Sequence, residues 1–206
     1  MTPRERRLRE QAQRHRLILT TAREMAESEG WDYVTTRRLA DRIEYSQPVL
    51  YQHFKNKDAI VHAVALEGFA ELAAALRTAR EAAGDPQEAL GAVARAYADF
   101  AERGPVLYEA MLTLDPGEDT GEDTTGEDTT GAAGTPAPLA DVLAEIRQAV
   151  EPVAAGRDGG LLAEVLWSAW HGLAALTRAG RLRPDPARQR LAALTGALLG
   201  PAAQPV

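Results

Sequence analysis

The sequence has no cysteine, which excludes disulfides, thiolate metal sites and a cysteine nucleophile. Aromatic residues are only 5% of the 206 positions, within an apolar share of 45%. Alanine and leucine supply most of that share and β-branched residues are sparse, a mixture that favours helices over sheets. No run approaches about 18 uninterrupted apolar residues, so no membrane partner is expected. The opening Met1-Thr-Pro-Arg-Glu-Arg-Arg lacks the apolar stretch of a secretory signal, and a cytoplasmic location is the expectation. Histidines at 15, 53, 62 and 171 are scattered, with no His-Glu-x-x-His, glycine-rich phosphate loop or nucleophile elbow around them. His53 and His62 stand nine apart on separate expected helices, which is poor metal spacing. No enzyme activity, cofactor or metal is expected.

Positive charge is short overall, with a net charge of −7. Its distribution matters more. Residues 1–62 hold 12 Lys/Arg against 9 Asp/Glu, while the remainder holds 11 against 21. A basic head on an acidic body points the head alone at a polyanion. The alternative is that the seven arginines before residue 24 only solvate a helix.

Helical periodicity runs through most of the chain. Leu17, Ile18, Ala22, Met25 and Ala26 share a helical pattern that Gly30 stops. Thr35 or Thr36 caps a short helix carrying Leu39, Ala40 and Ile43, and Ser46 caps another. Pro48 falls in the first turn of that second helix, where its missing amide is harmless. Asn56 precedes a long helix with Ile60, Val61, Val64, Gly68, Leu72 and Leu76 along one face. Asp85-Pro86-Gln87-Glu88 reads as a capping box opening a helix to about Arg103. Gly104-Pro105 breaks it, and Val106–Leu114 resumes. Further helices are expected over 139–150, over 160–179 (apolar around most of its circumference) and after Asp185-Pro186, with Leu191, Leu194, Leu198 and Leu199 as the last seam. Between Asp115 and Pro138 the pattern stops. Gly-Glu-Asp-Thr recurs at 117–120, 121–124 and 126–129, and such acidic, poorly apolar sequence reads as a disordered loop. The repeat lacks the spaced ligands of a calcium loop.

The informative stretch runs from Val34 to Ile60. It reads as two short helices joined by a turn of about three residues, with Leu39, Ala40, Ile43, Leu50 and Phe54 locking their crossing. The second helix exposes Gln47, Pro48, Val49, Gln52 and His53. In such a helix-turn-helix the second helix enters a major groove and its N-terminal residues reach base edges. The Gln47 amide suits a base edge and Val49 a thymine methyl. Thr36, Arg37, Tyr51, Lys55 and Lys57 are donors suited to phosphates, and Thr35 and Ser46, at the two helix starts, complete the candidate DNA-binding set.

This run resembles the TetR family of bacterial regulators. The match lies at Thr36, Arg37 or Arg38, Leu39, Ala40, Leu50, Tyr51, His53, Phe54 and Lys57, and the likeness covers about residues 14–62. It implies that Thr36, Tyr51, His53 and Lys57 hold the DNA backbone while Gln47, Pro48 and Val49 face bases. One departure stands out. The turn usually carries glycine where Glu44 stands, at a position expected to need a positive φ. Glutamate there costs roughly 1 kcal/mol and brings negative charge near DNA, unless the chain takes a slightly different turn.

The expected fold is all-α. A three-helix helix-turn-helix domain occupies residues 1–60, and a larger helical ligand-binding and dimerisation domain occupies 61–206, including the acidic loop at 115–138. Trp170-His171-Gly172 resembles the Trp-His-Gly segment of one TetR subgroup. In that family the last two helices pack against their copies in a homodimer, where Gly172 and Gly196 would permit close approach. Tyr97, Phe100, Tyr108, Met111, Trp167, Trp170 and His171 are candidates to line an effector pocket, with core packing the alternative for each. The function implied is a sequence-specific transcriptional regulator, a repressor released from a palindromic double-stranded DNA operator by an unidentified small molecule. The rival is a helical protein–protein interaction module that does not bind DNA.

Overall fold

The computed structural model describes residues 2–112, 130–131, 135–183 and 185–199. Among them are nine α-helices: α1 Pro3–Glu29, α2 Thr36–Arg42, α3 Gln47–Tyr51, α4 Lys57–Glu81, α5 Pro86–Arg103, α6 Pro105–Leu112, α7 Ala137–Val150, α8 Gly159–Arg178 and α9 Ala187–Leu199. Short 3-10 turns at Trp31–Tyr33 and Glu151–Val153 and a two-residue antiparallel pair, Thr130–Gly131 with Thr135–Pro136, complete them. The chain is all-α in class, as its composition implies. It divides into two compact units, one of Met1–Gly68 with Gly104–Asp128 and the other of Phe69–Arg103 with Thr129–Val206.

In the first unit, α1 buries Ile18, Leu19, Ala22, Met25 and Ala26. Leu17, grouped with them on periodicity, is instead 42% exposed, because it lies a third of a turn away from that face. Gly30 ends α1 at φ 87° with its amide on the Ala26 carbonyl (2.7 Å). The helix also begins far earlier than the apolar pattern suggests. Thr2 accepts from the Glu5 amide and the Glu5 carboxylate accepts from the Thr2 amide, a capping box readable in Thr2-Pro-Arg-Glu5. Asn56 caps α4 through the Ala59 amide (2.8 Å). Gly68 lets α6 lie close on α4, since a Cβ there would stand 2.9 Å from both Leu107 and Met111.

In the second unit, α5, α7 and α8 pack around Leu90, Val142, Ile146, Leu166 and Trp170. Asp85 caps α5 by accepting from the Glu88 amide (2.8 Å), but the Glu88 carboxylate reaches Gly84 rather than Asp85. The box therefore closes one residue early. Ala137 and Pro138 belong to α7, so the expected loop stops short of 138. Proline sits well there, because first-turn amides have no intrahelical partner. The Gly-Glu-Asp-Thr repeats lie outside the described residues. Glu145 on α7 is 2% exposed and is held by Arg77 Nε (2.7 Å) and Arg80 Nε (3.0 Å) of α4.

By length and composition α4 would suffice to cross a membrane. Its Ile60, Val64, Ala65, Phe69, Leu72 and Leu76 are buried within the protein itself, so the helix is a core element. The expected seam of α9 begins with a buried Leu191 and a half-buried Leu194, while the side chains of Leu198 and Leu199 lie outside the described residues.

Candidate nucleic-acid interface

Two short helices and the turn between them build the interface. The Thr35 hydroxyl caps α2 by accepting from the Arg38 amide (3.2 Å), and Leu39 and Ala40 on the inner side are buried. At its C-terminus the Glu44 amide donates to the Asp41 carbonyl (3.4 Å) and the Tyr45 amide to the Ala40 carbonyl (3.0 Å). These two bonds form a Schellman cap, whose C′ residue must be left-handed. That residue is Glu44, at φ 57°. The turn keeps the geometry that glycine would serve and carries glutamate in it.

Ser46 stands at the N-cap of α3 in extended conformation, but its hydroxyl makes no cap bond, contrary to the expectation for a serine there. The helix is also shorter than its sequence suggests, Gln47–Tyr51. The amides of His53 and Phe54 both turn back to the Leu50 carbonyl (2.9 Å each), tightening the chain before Asn56 opens α4. Gln52 and His53 thus sit in the closing turn. Leu50 and Phe54 are buried and anchor this segment. Ile43 is only half-buried. Outward, Gln47, Pro48 and Gln52 are exposed, Val49 is half-buried, and Tyr51 is 52% exposed. The Tyr51 hydroxyl lies 3.4 Å from the Thr36 hydroxyl, joining two candidate phosphate donors across the helices.

The basic residues separate by role. Arg38 binds inward, to the Glu29 carboxylate (2.6 Å) and the Tyr33 carbonyl (3.0 Å), which leaves the exposed Arg37 as the outward arginine of the motif. Lys55 is exposed. Lys57 is half-buried and donates to the Trp31 carbonyl (2.6 Å), using one of its three protons. Trp31 in turn donates from Nε1 to the Val106 carbonyl (3.0 Å).

Behind α3 is a cleft of about 690 Å³ bordered by His15, His53, His62, Lys55 and Glu67 over an apolar floor that includes Leu19 and Phe54. His53 and His62, distant in sequence, therefore share one cleft with His15. The His15 ring packs 4.6 Å from Phe54 and 6.3 Å from His53 between centroids. Burial, with the positive charge of His15 and Arg14, pushes the His53 pKa below the ordinary 6.5. No group of three ligating side chains among the described residues has the geometry to hold a metal ion.

The seven effector candidates do not come together in one unit. Tyr97, Phe100 and Trp170 are buried in the second unit, where Trp167 and His171 are half-buried. Tyr108 and Met111 are buried in the first, on α6. The Tyr97 and Trp170 rings pack at a tilt of 47° with centroids 5.7 Å apart, and Trp170 Nε1 is buried without a hydrogen-bond partner among the described residues. His171 is held below its ordinary pKa by burial and by Arg178. Sequence reasoning missed a groove of about 500 Å³ between α5 and α9, edged by Arg95 and Arg188 and passing over Gly91 and Gly196. A Cβ on Gly172 or Gly196 would meet nothing within 4 Å, so neither glycine is needed for packing among the described residues.

Known proteins resemble both parts of the chain. Residues 18–64 match the family of bacterial regulatory proteins described as tetR family, and residues 90–198 match the tetracyclin repressor-like C-terminal domain. The tetracycline repressor protein class C of Escherichia coli is 48% identical over 48 residues, 23% of this chain and 22% of that protein. YobS of Bacillus subtilis, an uncharacterised HTH-type transcriptional regulator, is 33% identical over 98 residues, 47% of this chain and 50% of that protein. The matched segments thus span between about a fifth and a half of these relatives. A solved structure of a protein of unknown function from Rhodococcus sp. RHA1 shares the fold with a TM-score of 0.69 at 24% identity, covering 90% of this chain and 93% of that one. None of these matches singles out a Trp-His-Gly subgroup.

Proposed function

Because the chain belongs to the tetR family of bacterial regulatory proteins, a family of DNA-binding transcriptional regulators and not of enzymes, we propose that it is a repressor released from a palindromic operator by a small molecule. The observation that carries this reading is the presentation of α3. Leu50 and Phe54 hold it from beneath, while Gln47, Pro48 and Tyr51 are exposed on the outside. Gln47 and Val49 read base edges in the major groove; Thr36, Arg37, Tyr51, Lys55 and Lys57 hold phosphates.

The outer face of α8 supports a homodimer. Leu161, Val165 and Leu176 are 60%, 40% and 39% exposed. With Gly172 they form one stripe at helical spacing, opposite the buried Ala163, Leu166 and Trp170. Two copies joined there present two reading heads to successive major grooves, about one helical turn of DNA apart.

The effector enters the second unit, and the Trp170 N–H, without a partner among the described residues, favours a molecule with a hydrogen-bond acceptor, since a buried donor left unpaired is costly. One continuous helix, α4, runs from the reading head into that unit and transmits the change. A tenfold loss of DNA affinity requires about 1.4 kcal/mol of preferential effector binding to the released form. The cytoplasm is where such a regulator acts. Gel-shift titration against the DNA upstream of its own gene tests the reading. Sequence-selective binding with a steep salt dependence supports it, whereas weak, salt-indifferent binding favours the protein–protein module and overturns it.

A further inference from the structure

Residues 2–14 of α1 and its cap are all exposed, and the helix is covered only from His15 and Ile18 onward. A helical arm of that length is marginal on its own, yet its start is capped by Thr2 and Glu5. Its charges are ordered. Helical geometry places Arg4, Arg7, Gln11 and Arg14 on the face that Ile18, Ala22 and Met25 bury further along. That face therefore changes from apolar to a row of donors where it leaves the body of its unit.

The row is not neutralised. Glu5 is engaged in the cap, and Glu10, about one turn from both Arg7 and Arg14, is paired instead with Arg6 at 3.7 Å. Arg4, Arg7 and Arg14 make no ion pair among the described residues. At its inner end the row reaches His15, whose ring lies on Phe54 and near His53, beside the closing turn of α3. An exposed cationic stripe on a chain of net charge −7 suits a polyanion, and arginine suits phosphate through its planar fork of donors.

We propose that the Arg4–Arg14 stripe is a second DNA-binding element, which grips the phosphate backbone flanking the site read by α3. The inference rests on the DNA-binding reading above. From Arg4 to Arg14 the helix rises about 15 Å, enough to follow the backbone past the recognition helix. Its grip strengthens binding to every sequence alike and leaves base preference to Gln47 and Val49.

The test uses the full chain and a version with Arg4→Gln, Arg7→Gln and Arg14→Gln together. Glutamine keeps helix propensity, and circular dichroism checks that α1 is retained. Each is titrated over a range of salt against a duplex selected from a randomised pool, with flanks extending past both half-sites. The variant is expected to show a shallower log K against log salt line, by about 0.9 for each phosphate no longer neutralised. Its preferred sequence stays unchanged and its hydroxyl-radical footprint shrinks at the flanks. Replacing the same three residues by lysine restores most of the slope. An unchanged slope and footprint overturn the proposal while leaving the regulator intact. A wild-type chain that binds without salt dependence overturns the DNA-binding reading and this inference with it.

Discussion

The Tyr45 amide reaches back 3.0 Å to the Ala40 carbonyl across a glutamate, Glu44, held at φ 57°. That bond closes α2 and aims α3, and it is made with a residue whose Cβ opposes the conformation. Glu44→Gly is expected to stabilise the chain by about 0.5–1 kcal/mol, the relief of left-handed strain exceeding the extra entropy of glycine in the unfolded state. Urea denaturation checks this. Glu44→Ala keeps the Cβ and gains nothing, and equal behaviour of the two variants would place the strain elsewhere.

In the proposed DNA complex the charge of Glu44 has a second consequence. Removing an exposed carboxylate beside α3 lowers repulsion of phosphates, so Glu44→Gln tightens DNA binding at low salt and loses that advantage as salt rises. Affinity measured at two ionic strengths separates this effect from the stability gain, which salt leaves in place.

Much of the fold and of the interface was legible because the signals are local. Thr35, Asn56, Asp85 and Gly30 act at helix ends through neighbours within four residues, and the buried Leu39, Ala40, Leu50 and Phe54 follow from periodicity. What escaped depends on distance in sequence. Trp31 meeting Val106, and three scattered histidines converging on one cleft, leave no pattern in the chain. The same holds for Glu145, whose partners lie 65 and 68 positions away. The shortness of α3 also escaped, because a five-residue helix and a two-turn helix bury the same positions, Leu50 and Phe54.

Glu145 makes a stability prediction. Its carboxylate is 3% exposed, while Arg80 is 21% exposed and Arg77 more than half exposed. Arg80→Ala leaves a buried carboxylate with one solvated partner and is expected to cost about 3 kcal/mol. Glu145→Leu costs less, since both arginines can turn to solvent and the leucine fills the space. A cost for Glu145→Leu equal to that of Arg80→Ala, measured by chemical denaturation, would show that the pair is worth more than its desolvation.

Acidification acts through His53 and His171, both held below their ordinary pKa of 6.5 by burial and by nearby positive charge. The unfolded chain therefore binds protons more readily than the folded one. Their contribution to stability is complete above pH 6.5 and is lost as pH falls through the depressed folded values. Unfolding free energy should decline on the acid side of neutrality, and His53→Gln with His171→Gln should flatten that part of the profile. In the proposed complex a phosphate beside His53 would act the opposite way, so DNA binding should take up protons, and the His53 resonance should titrate higher in the complex than in the free protein.

The proposed roles separate base reading from backbone holding at α3. Gln47→Ala removes an exposed amide with no role in packing and should relax preference at one base pair by about 1–3 kcal/mol. Tyr51→Phe removes the hydroxyl that lies 3.4 Å from Thr36 and should weaken all sequences together. Lys57→Ala is a poorer probe, because it also breaks the bond to Trp31 and mixes folding with binding. Selection from a randomised duplex pool distinguishes the classes. Identical enrichment profiles for the two variants would mean that Gln47 does not read a base.

Dimerisation can be tested without touching any core. Val165 lies at the centre of the exposed stripe on α8 and is 40% exposed, so Val165→Asp leaves each chain folded. In a dimer the new carboxylates meet across the two-fold axis in an apolar interface, where burying unpaired charge costs several kcal/mol. Sedimentation should shift from dimer to monomer, and DNA affinity should fall steeply because one head holds only a half-site. A charged variant that remains dimeric would move the interface off α8. A wild-type chain that sediments as a monomer would remove the need for two-fold operators altogether.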